Sequence, residues 1–399
     1  MYKLFVGVDV AKDSSTGHGL NERCESLFSM AFPMDGEGFS KLFDLLKDNC
    51  GDLSEVFVAM ESTACYHVNL FSFLAAKGVT VVVLNPLLVS NFAKLSLRKT
   101  KTDKKDARTI AQFATIHKDS ISQLSVSQDL QELRDLSRER ESLCQQISIN
   151  KTEVKRLLQT LFPELETICN LSTKVMLDFL QKFPSARLVS ITKPRAIEKA
   201  LSRKGVGTRL SYTSTDIIQA ARTSVATPSP AKEMILRGKV AILKHLGQQR
   251  DELTQALTEC CKSMMVEDLE IITSIPGING GTATSFLAEI GTVRNFPSYR
   301  NLIAFAGIDP VVYQSGKYEG SGRISKRGNR HLRRVIWLMT VNVIQHNTTF
   351  GSYFRKRRSA GYHYKKAVLA TAHKLLRVIF AMLSQRTFFK ENAPSGGIR

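Results

Sequence analysis

Four carboxylates fall where strand ends and a helix start can bring them together. Asp9 closes the apolar run LFVGVDV, Glu61 follows directly on VFVAM, and Asp103 and Asp106 stand three apart in TKTDKKDAR. Three-residue spacing places two side chains on one helical face, with Cβ atoms about 5–6 Å apart. Acids at the ends of neighbouring strands, facing such a pair, can converge on one pocket. Oxygen ligands are what Mg²⁺ prefers, and two such ions about 3.5–4 Å apart stabilise both the attacking and the leaving oxygens of a phosphodiester. The expected site is therefore a Mg²⁺ centre on Asp9, Glu61, Asp103 and Asp106, made for cutting or transferring phosphodiester bonds. Each acid alone reads as an ordinary turn or helix-start residue. The combination carries the expectation, together with Lys101, Lys104, Lys105 and Arg108, which suit a site that holds phosphates.

Such a site needs elements to position it. Residues 4–10, 14–20 and 26–32 read as three strands, the last two separated by Asn21-Glu22-Arg23. Helical spacing from Gly38 to Asn49 is followed by a short strand at Val56–Met60, then by a helix at Asn69–Lys77 that Gly78 closes. The β-branched run Val79–Leu84 reads as a central strand, and a helix is expected from about Thr102 to His117. Three strands, helix, strand, helix, strand is the layout of a ribonuclease-H-like (RuvC-like) α/β domain, assigned to residues 1–122.

From about Ser127 the period changes. Leu136, Leu143, Asn150 and Leu157 fall seven apart, as do Leu133, Arg140, Ile147, Val154 and Leu161. That is the stripe of a long coiled-coil helix ending before Pro163, with Asn150 placed to fix register. A second stripe, Ile235, Ile242, Leu246, Leu253 and Leu257, is expected to pack antiparallel on the first or to dimerise. Between them, residues 170–230 hold short helical patches broken by proline and glycine, with no chemistry assignable. This gives a coiled-coil region with a helical insert at 123–265 and a mostly helical domain at 266–399. The latter opens with IITSIPGINGGTATSFLAEIG, two apolar helices around a Pro-Gly turn, similar to a helix–hairpin–helix that offers backbone N–H groups to phosphates. Asn279 is expected in the left-handed conformation there.

The charge points the same way. The 399 residues carry a formal net charge of +20, and residues 311–399 hold 18 Lys and Arg against two acids. Such an excess favours a polyanionic partner, nucleic acid before a membrane surface. Arg330, Arg333 and Arg334 begin the helical HLRRVIWLMTVNVI, where cations oppose the helix dipole unless phosphates lie there. YFRKRRSAGYHYKK mixes basic and aromatic residues as single-stranded nucleic-acid binders do. His373, in an apolar helix, reads as structural. Seven cysteines without a CxxC pair argue for a reducing cytoplasm. No leader sequence and no uncharged apolar span of 18 residues is read, so no membrane partner is expected.

Read together, these segments resemble a known family. GVDVAKD, AMESTACYH, VLNP and KTDKKDAR at one end, and SIPGINGGTA, LAEIG, FPS, LIAFAGIDP, YQSG and ISKRGNRHLRR at the other, resemble the bridge-RNA-guided DEDD transposases of bacterial insertion sequences, the insertion-sequence-110 group. The pilin-inverting recombinases are its relatives. The resemblance implies that Asp9, Glu61, Asp103 and Asp106 bind the metal. It also implies that Ser315, in Tyr313-Gln314-Ser315-Gly316, is a nucleophile that forms a covalent phosphoserine and frees a 3′-hydroxyl. Donor and target DNA, a structured guide RNA, a dimeric or tetrameric assembly and a nucleoid location follow from it. The residues alone do not choose among Ser315, Ser321 and Ser325, which share a setting of Lys317, Arg323, Lys326, Arg327 and Arg330 suited to a scissile phosphate. A serine hydroxyl needs activation, and with no His or Asp partner evident in the sequence, the carboxylate site of the same or another subunit is expected to supply it. Two rivals remain: a metal-dependent nuclease of Holliday-junction type without a covalent intermediate, and a binding regulator on a decayed recombinase scaffold.

Overall fold

Side chains alternate across β1 (Leu4–Asp9), and both of its faces are covered. The computed structural model describes residues 2–61, 66–84, 89, 92, 103–121, 128–201, 212–311, 314–315, 318–319 and 323–391. The chain divides into two units, Met1–Gln131 and Glu132–Arg399.

The first unit is built on a five-stranded sheet of order β3-β2-β1-β4-β5. β2 (Ser14–Asn21) pairs antiparallel with β1 and with β3 (Ser26–Pro33), while β4 (Val56–Glu61) runs parallel to β1 and β5 (Thr80–Leu84) parallel to β4. Parallel strands covered on both sides read as unbroken apolar runs, which is why VFVAM and VVVL lack alternation. On one face Leu4, Val6 and Val8 pack with Leu42 and Leu46 of α1 (Gly36–Asn49) and with Leu70 and Leu74 of α2 (His67–Ala76). On the other, Phe5, Phe57 and Val82 pack with Ile110, Phe113 and Ala114 of α3 (Asp103–Ile121). Asp35 starts α1 by accepting from the Gly38 N–H at 2.8 Å, a cap that contributes about 1 kcal/mol.

In the second unit, α4 (Gln128–Leu161) and α10 (Pro230–Thr273) lie antiparallel. Lys232 Nζ donates to Thr160 Oγ1 at 3.1 Å and Arg140 Nε to Thr254 Oγ1 at 2.9 Å, so one helix descends as the other rises. Leu143, Ile147, Val154, Leu157 and Leu161 share a core with Leu236, Val240, Leu243 and Leu246. The expected stripe on α10 is thus partly displaced: Ile235 and Ile242 remain 48% and 45% exposed, because Leu236, Val240 and Leu243 turn inward instead. Asn150 does not set register across the seam either, since its amide donates to Gln146 O of its own helix at 3.0 Å. The insert folds into α5 (Leu165–Ile168), α6 (Lys174–Lys182), α7 (Ala186–Ile191), α8 (Pro194–Leu201) and α9 (Ser214–Arg222), which extend the same core through Met176, Leu180, Val189, Ile197 and Ile217.

Beyond a break at Met265 in α10, α11 (Gly280–Ile290) and α12 (Tyr299–Ala306) lead to four two-residue strands. α13 (Arg330–His346), α14 (Thr348–Ser359) and α15 (Tyr364–Gln385) complete the unit. The left-handed residue of the Pro-Gly turn is Gly277 (φ 97°), not Asn279. Asn279 is extended and caps α11, its Oδ1 accepting from Thr282 N at 2.9 Å. α15 is long and apolar enough to cross a membrane, a span the sequence reading did not expect, yet half of its most apolar window is buried within the unit. His373 on that helix bonds through Nε2 to the Ile308 carbonyl at 2.9 Å, a structural role.

Candidate functional site

Gly7 decides where α3 lies. A Cβ there would sit 2.2 Å from Ala107 O and 2.3 Å from Ala111 N, so helix backbone rests directly on strand backbone. Two residues earlier, Phe5 packs with Ile110, Phe113 and Ala114, further along the helix. α3 therefore runs antiparallel to β1, and its first turn, with Asp103 and Asp106, lies at the Asp9 end. Phe5, Gly7 and Asp9 share the face that α3 covers, and Phe57, Ala59 and Glu61 share it on β4. The Val8↔Met60 rung stands just before Asp9 and Glu61, which puts the two acids side by side. All four acids are thus brought to one end of one side of the sheet. Asp9, Glu61 and Asp106 are half-buried and Asp103 is exposed. The convergence stops short of closure: among the described residues, no three His, Cys, Asp or Glu side chains gather closely enough to hold a metal ion. What fits Mg²⁺ is the donor chemistry, four carboxylates at one end of the sheet.

The cations expected beside these acids are exposed at the start of α3: Lys104, Lys105 and Arg108. Lys101 lies outside the described residues. Sequence reasoning passed over His18, which stands opposite Gly7 on β2 and is 3% exposed. Its Nε2 bonds Ser26 Oγ at 3.1 Å, and among the described residues its buried Nδ1 has no partner. Burial, and then the charges of Arg108 and Lys104, hold it below the usual histidine range. The available signal was a lone histidine, between two glycines, in a strand otherwise built mainly of small residues.

Ser315 belongs to an excursion with a locked base. β6 (Pro310–Val311) pairs antiparallel with β9 (Arg323–Ile324), and β7 (Gln314–Ser315) with β8 (Tyr318–Glu319). Ser315 forms the last pair, with Tyr318. Below them the chain zips closed: Ser325 N donates to Asp309 O at 2.9 Å, Lys326 N to Gly307 O at 3.0 Å and Asn329 N to Phe305 O at 2.8 Å. A Cβ on Gly328 would lie 2.3 Å from Phe305 O, so the two backbones touch. Ser325, an alternative nucleophile by sequence, donates its hydroxyl to Asp309 Oδ1 at 2.5 Å and is committed to this base. Tyr313, Gly316, Lys317 and Ser321 lie outside the described residues, as do the side chains of Ser315 and Arg323.

Comparison with known proteins agrees at both ends of the chain. Residues 6–163 match a family model of IS110 transposases described as "Transposase", and residues 269–355 match the "Transposase IS116/IS110/IS902 family". The chain belongs to the IS110/IS116 transposase family. Its activity class is accordingly DNA transposition or recombination. An insertion element IS110 protein of 43.6 kDa from Streptomyces coelicolor is 24% identical over 98% of this chain and 97% of its own length. The pilin gene-inverting protein of Moraxella bovis is 21% identical over 98% of each chain. A transposase for insertion sequence element IS1111A from Coxiella burnetii is 32% identical over 31% of this chain and 35% of its own.

In this family member the cations near Ser315 divide into two groups. Arg333 is spent on the fold, its Nη1 donating to Ala306 O at 3.0 Å. Arg334 and His331 reach Glu141 at 3.4 and 2.7 Å. Lys326, Arg327 and Arg330 stand exposed beside the locked base. What holds this segment is Glu289, 1% exposed, which takes Arg138 Nε and Nη2 at 2.9 Å each and Asn329 Nδ2 at 2.6 Å. Burial alone would push its carboxyl up, but Arg138 and Asn329 outweigh that and keep it below the ordinary range. Asn329 Oδ1 in turn accepts from His331 N and Leu332 N, starting α13. Arg134 closes the set by donating to the Ala288 and Glu289 carbonyls at 2.9 and 3.2 Å. None of these was a site residue by sequence. Their signals were a lone Glu in apolar LAEIG, and Arg134, Arg138 and Glu141 at helical spacing.

Proposed function

We propose that this transposase-family chain cuts and rejoins DNA with Asp9, Glu61, Asp103 and Asp106 as Mg²⁺ ligands and Ser315 as nucleophile. The observation that carries the reading is the antiparallel seating of α3 on Gly7, which sets the four acids at one end of the sheet. The sheet order, three antiparallel strands continued by two parallel ones, supports a ribonuclease-H-like (RuvC-like) assignment for the first unit. Bound by the acids, Mg²⁺ would offset charge on the phosphodiester oxygens. The Ser315 oxygen loses its proton and bonds to phosphorus. The bond to O3′ breaks, and O3′ takes a proton to leave as a free 3′-hydroxyl. Lys326, Arg327 and Arg330, exposed beside the base of this segment, would pair with the phosphate, as Arg and Lys do in charge-assisted bonds. Guidance by a structured RNA, assembly as a dimer or tetramer and action on bacterial chromosomal DNA in the cytoplasm, at the nucleoid, belong to the same proposal.

A suicide DNA substrate that traps covalent intermediates tests it. Wild type should yield protein–DNA adducts, and Ser315→Ala should yield none while still binding DNA. Adducts that persist in Ser315→Ala would move the nucleophile elsewhere. Cleavage by the wild type with no adduct at all would favour the hydrolytic junction nuclease.

A further inference from the structure

Among the described residues, the corner between α14 and α15 gathers positive charge with little compensation. No acid occurs between Glu319 and Glu391, a stretch with 16 Lys and Arg. Arg355, Lys356 and Arg358 are exposed near the end of α14, and Lys365 and Lys366 are exposed on the first turn of α15. Among the described residues none of the five has a carboxylate partner, whereas Arg138, Arg334 and Arg386 of the same unit find Glu289, Glu141 and Asp268. The three on α14 suit the negative end of that helix. Lys365 and Lys366 do not have that excuse, since they add charge to a helix end that is already positive.

Tyr353 and Tyr362, two of the three tyrosines among these cations, are engaged. Arg357 lies 5.0 Å from the Tyr353 ring centre and 5.5 Å from that of Tyr362. Lys374 lies 4.8 Å from Tyr353, and Lys366 4.5 Å from Tyr362. Arg357 Nε and Nη2 also donate to the Tyr353 hydroxyl at 3.0 and 2.9 Å, and Arg358 Nη1 to Tyr362 O at 2.8 Å. Tyr364, 45% exposed, meets Phe354 edge-on at 5.8 Å, so with Tyr353 and Tyr362 already faced by cations the corner leaves fewer platforms for bases than its composition suggests. What it offers is an array of exposed cations.

We infer that the α14–α15 corner docks the phosphate backbone of duplex DNA by charge, without reading bases. The inference rests on the recombinase reading only for the choice of DNA as the polyanion. Full-length protein in EDTA, which prevents metal-dependent cutting, would be titrated by fluorescence anisotropy against a 30-bp DNA duplex of arbitrary sequence, a dT30 strand and an RNA duplex between 50 and 200 mM KCl. Each phosphate contact contributes about 0.9 to the slope of log affinity on log salt. The variant R355Q/K356Q/K365Q/K366Q should therefore flatten the duplex-DNA slope by about three to four and lower affinity at 50 mM KCl more than tenfold. K356R/K365R/K366R should keep the wild-type slope, and Tyr362→Leu should leave the ratio of duplex to dT30 binding unchanged. An unchanged slope in the fourfold variant overturns the inference. So does a larger loss on the RNA duplex or on dT30, or selective loss of dT30 binding in Tyr362→Leu. Missing adducts in the Ser315 assay would remove the proposed chemistry and leave this surface standing. An unchanged salt slope would do the reverse.

Discussion

The two units hold their candidate chemistry by different means. In the first, Asp9 and Glu61 end adjacent parallel strands and Asp103 and Asp106 begin a helix, so regular elements set their positions. In the second, Ser315 sits on an excursion between α12 and α13, and side-chain bonds fix the base of that excursion. Regular elements need one close contact to aim four residues. An irregular segment needs a buried polar network, and such a network is costly when any member is lost. The contrast predicts that the first unit fails through sterics and the second through uncompensated charge.

The sharpest way to break that contrast is Gly7→Val. The added Cβ would meet Ala107 O at 2.2 Å, and the obstacle is backbone, which cannot rotate aside. Lifting α3 should destabilise the first unit by about 4 kcal/mol, at the severe end of overpacking. Metal-dependent cleavage should disappear even where the unit stays folded, because Asp103 and Asp106 move with the helix. Chemical denaturation of the full chain, followed through unit-specific probes, should show the early transition in residues 2–84. A Gly7→Val protein with wild-type activity would mean that the seating of α3 does not place the acids.

Glu289→Ala is the matching change in the second unit. It leaves the Arg138 guanidinium without its carboxylate and Asn329 Nδ2 without its acceptor. Removing one partner of a buried pair costs about 3–5 kcal/mol. Arg138 is 40% exposed, so water offsets part of that and the lower end, about 3 kcal/mol, is expected. Hydrogen exchange should rise at the start of α13 and across the base around Gly307, while the five-stranded sheet stays protected. Glu289→Gln keeps an acceptor for Asn329 and should recover part of the loss. Equal exchange in both variants would show that Asn329 does not need this carboxylate.

The same contrast explains what the amino-acid order revealed. Strand periods, the helix-closing glycine and the spacing of the four acids are local, so the first unit was readable nearly element by element. The position of α3 over Gly7 was not, though a glycine inside a strand already marks a close backbone approach. In the second unit the determining contacts join residues far apart in the chain. Glu289 meets Arg138 across 151 positions and Asn329 across 40. Heptad spacing found the long helices but misassigned the inward face of α10, because Leu236 and Ile235 are neighbours and pattern alone does not rank them. The aromatic-basic segment suggested base stacking because composition does not show that Arg357, Lys366 and Lys374 already face the Tyr353 and Tyr362 rings.

The smallest expected effect separates the units by pH. His18 is buried on the α3 side of the sheet, its Nδ1 has no partner among the described residues, and its pKa is held below the usual range by burial, Arg108 and Lys104. A histidine whose folded pKa is depressed takes up its proton more readily when unfolded. Stability is then flat above the unfolded value of about 6.5 and declines as pH falls through it toward the folded value. Exchange at β1 and β2 amides, corrected for intrinsic rates, should therefore quicken from pH 7.5 to 5.5. His67, whose pKa burial also lowers, lies on α2 over the opposite face, so its titration should register first in α2. His18→Gln should flatten the response in β1 and β2 and leave that in α2. If β1 and β2 respond equally with and without His18, the cations of α3 are not pressing on this histidine, and the close seating of α3 over Gly7 has no electrostatic consequence for the sheet beneath it.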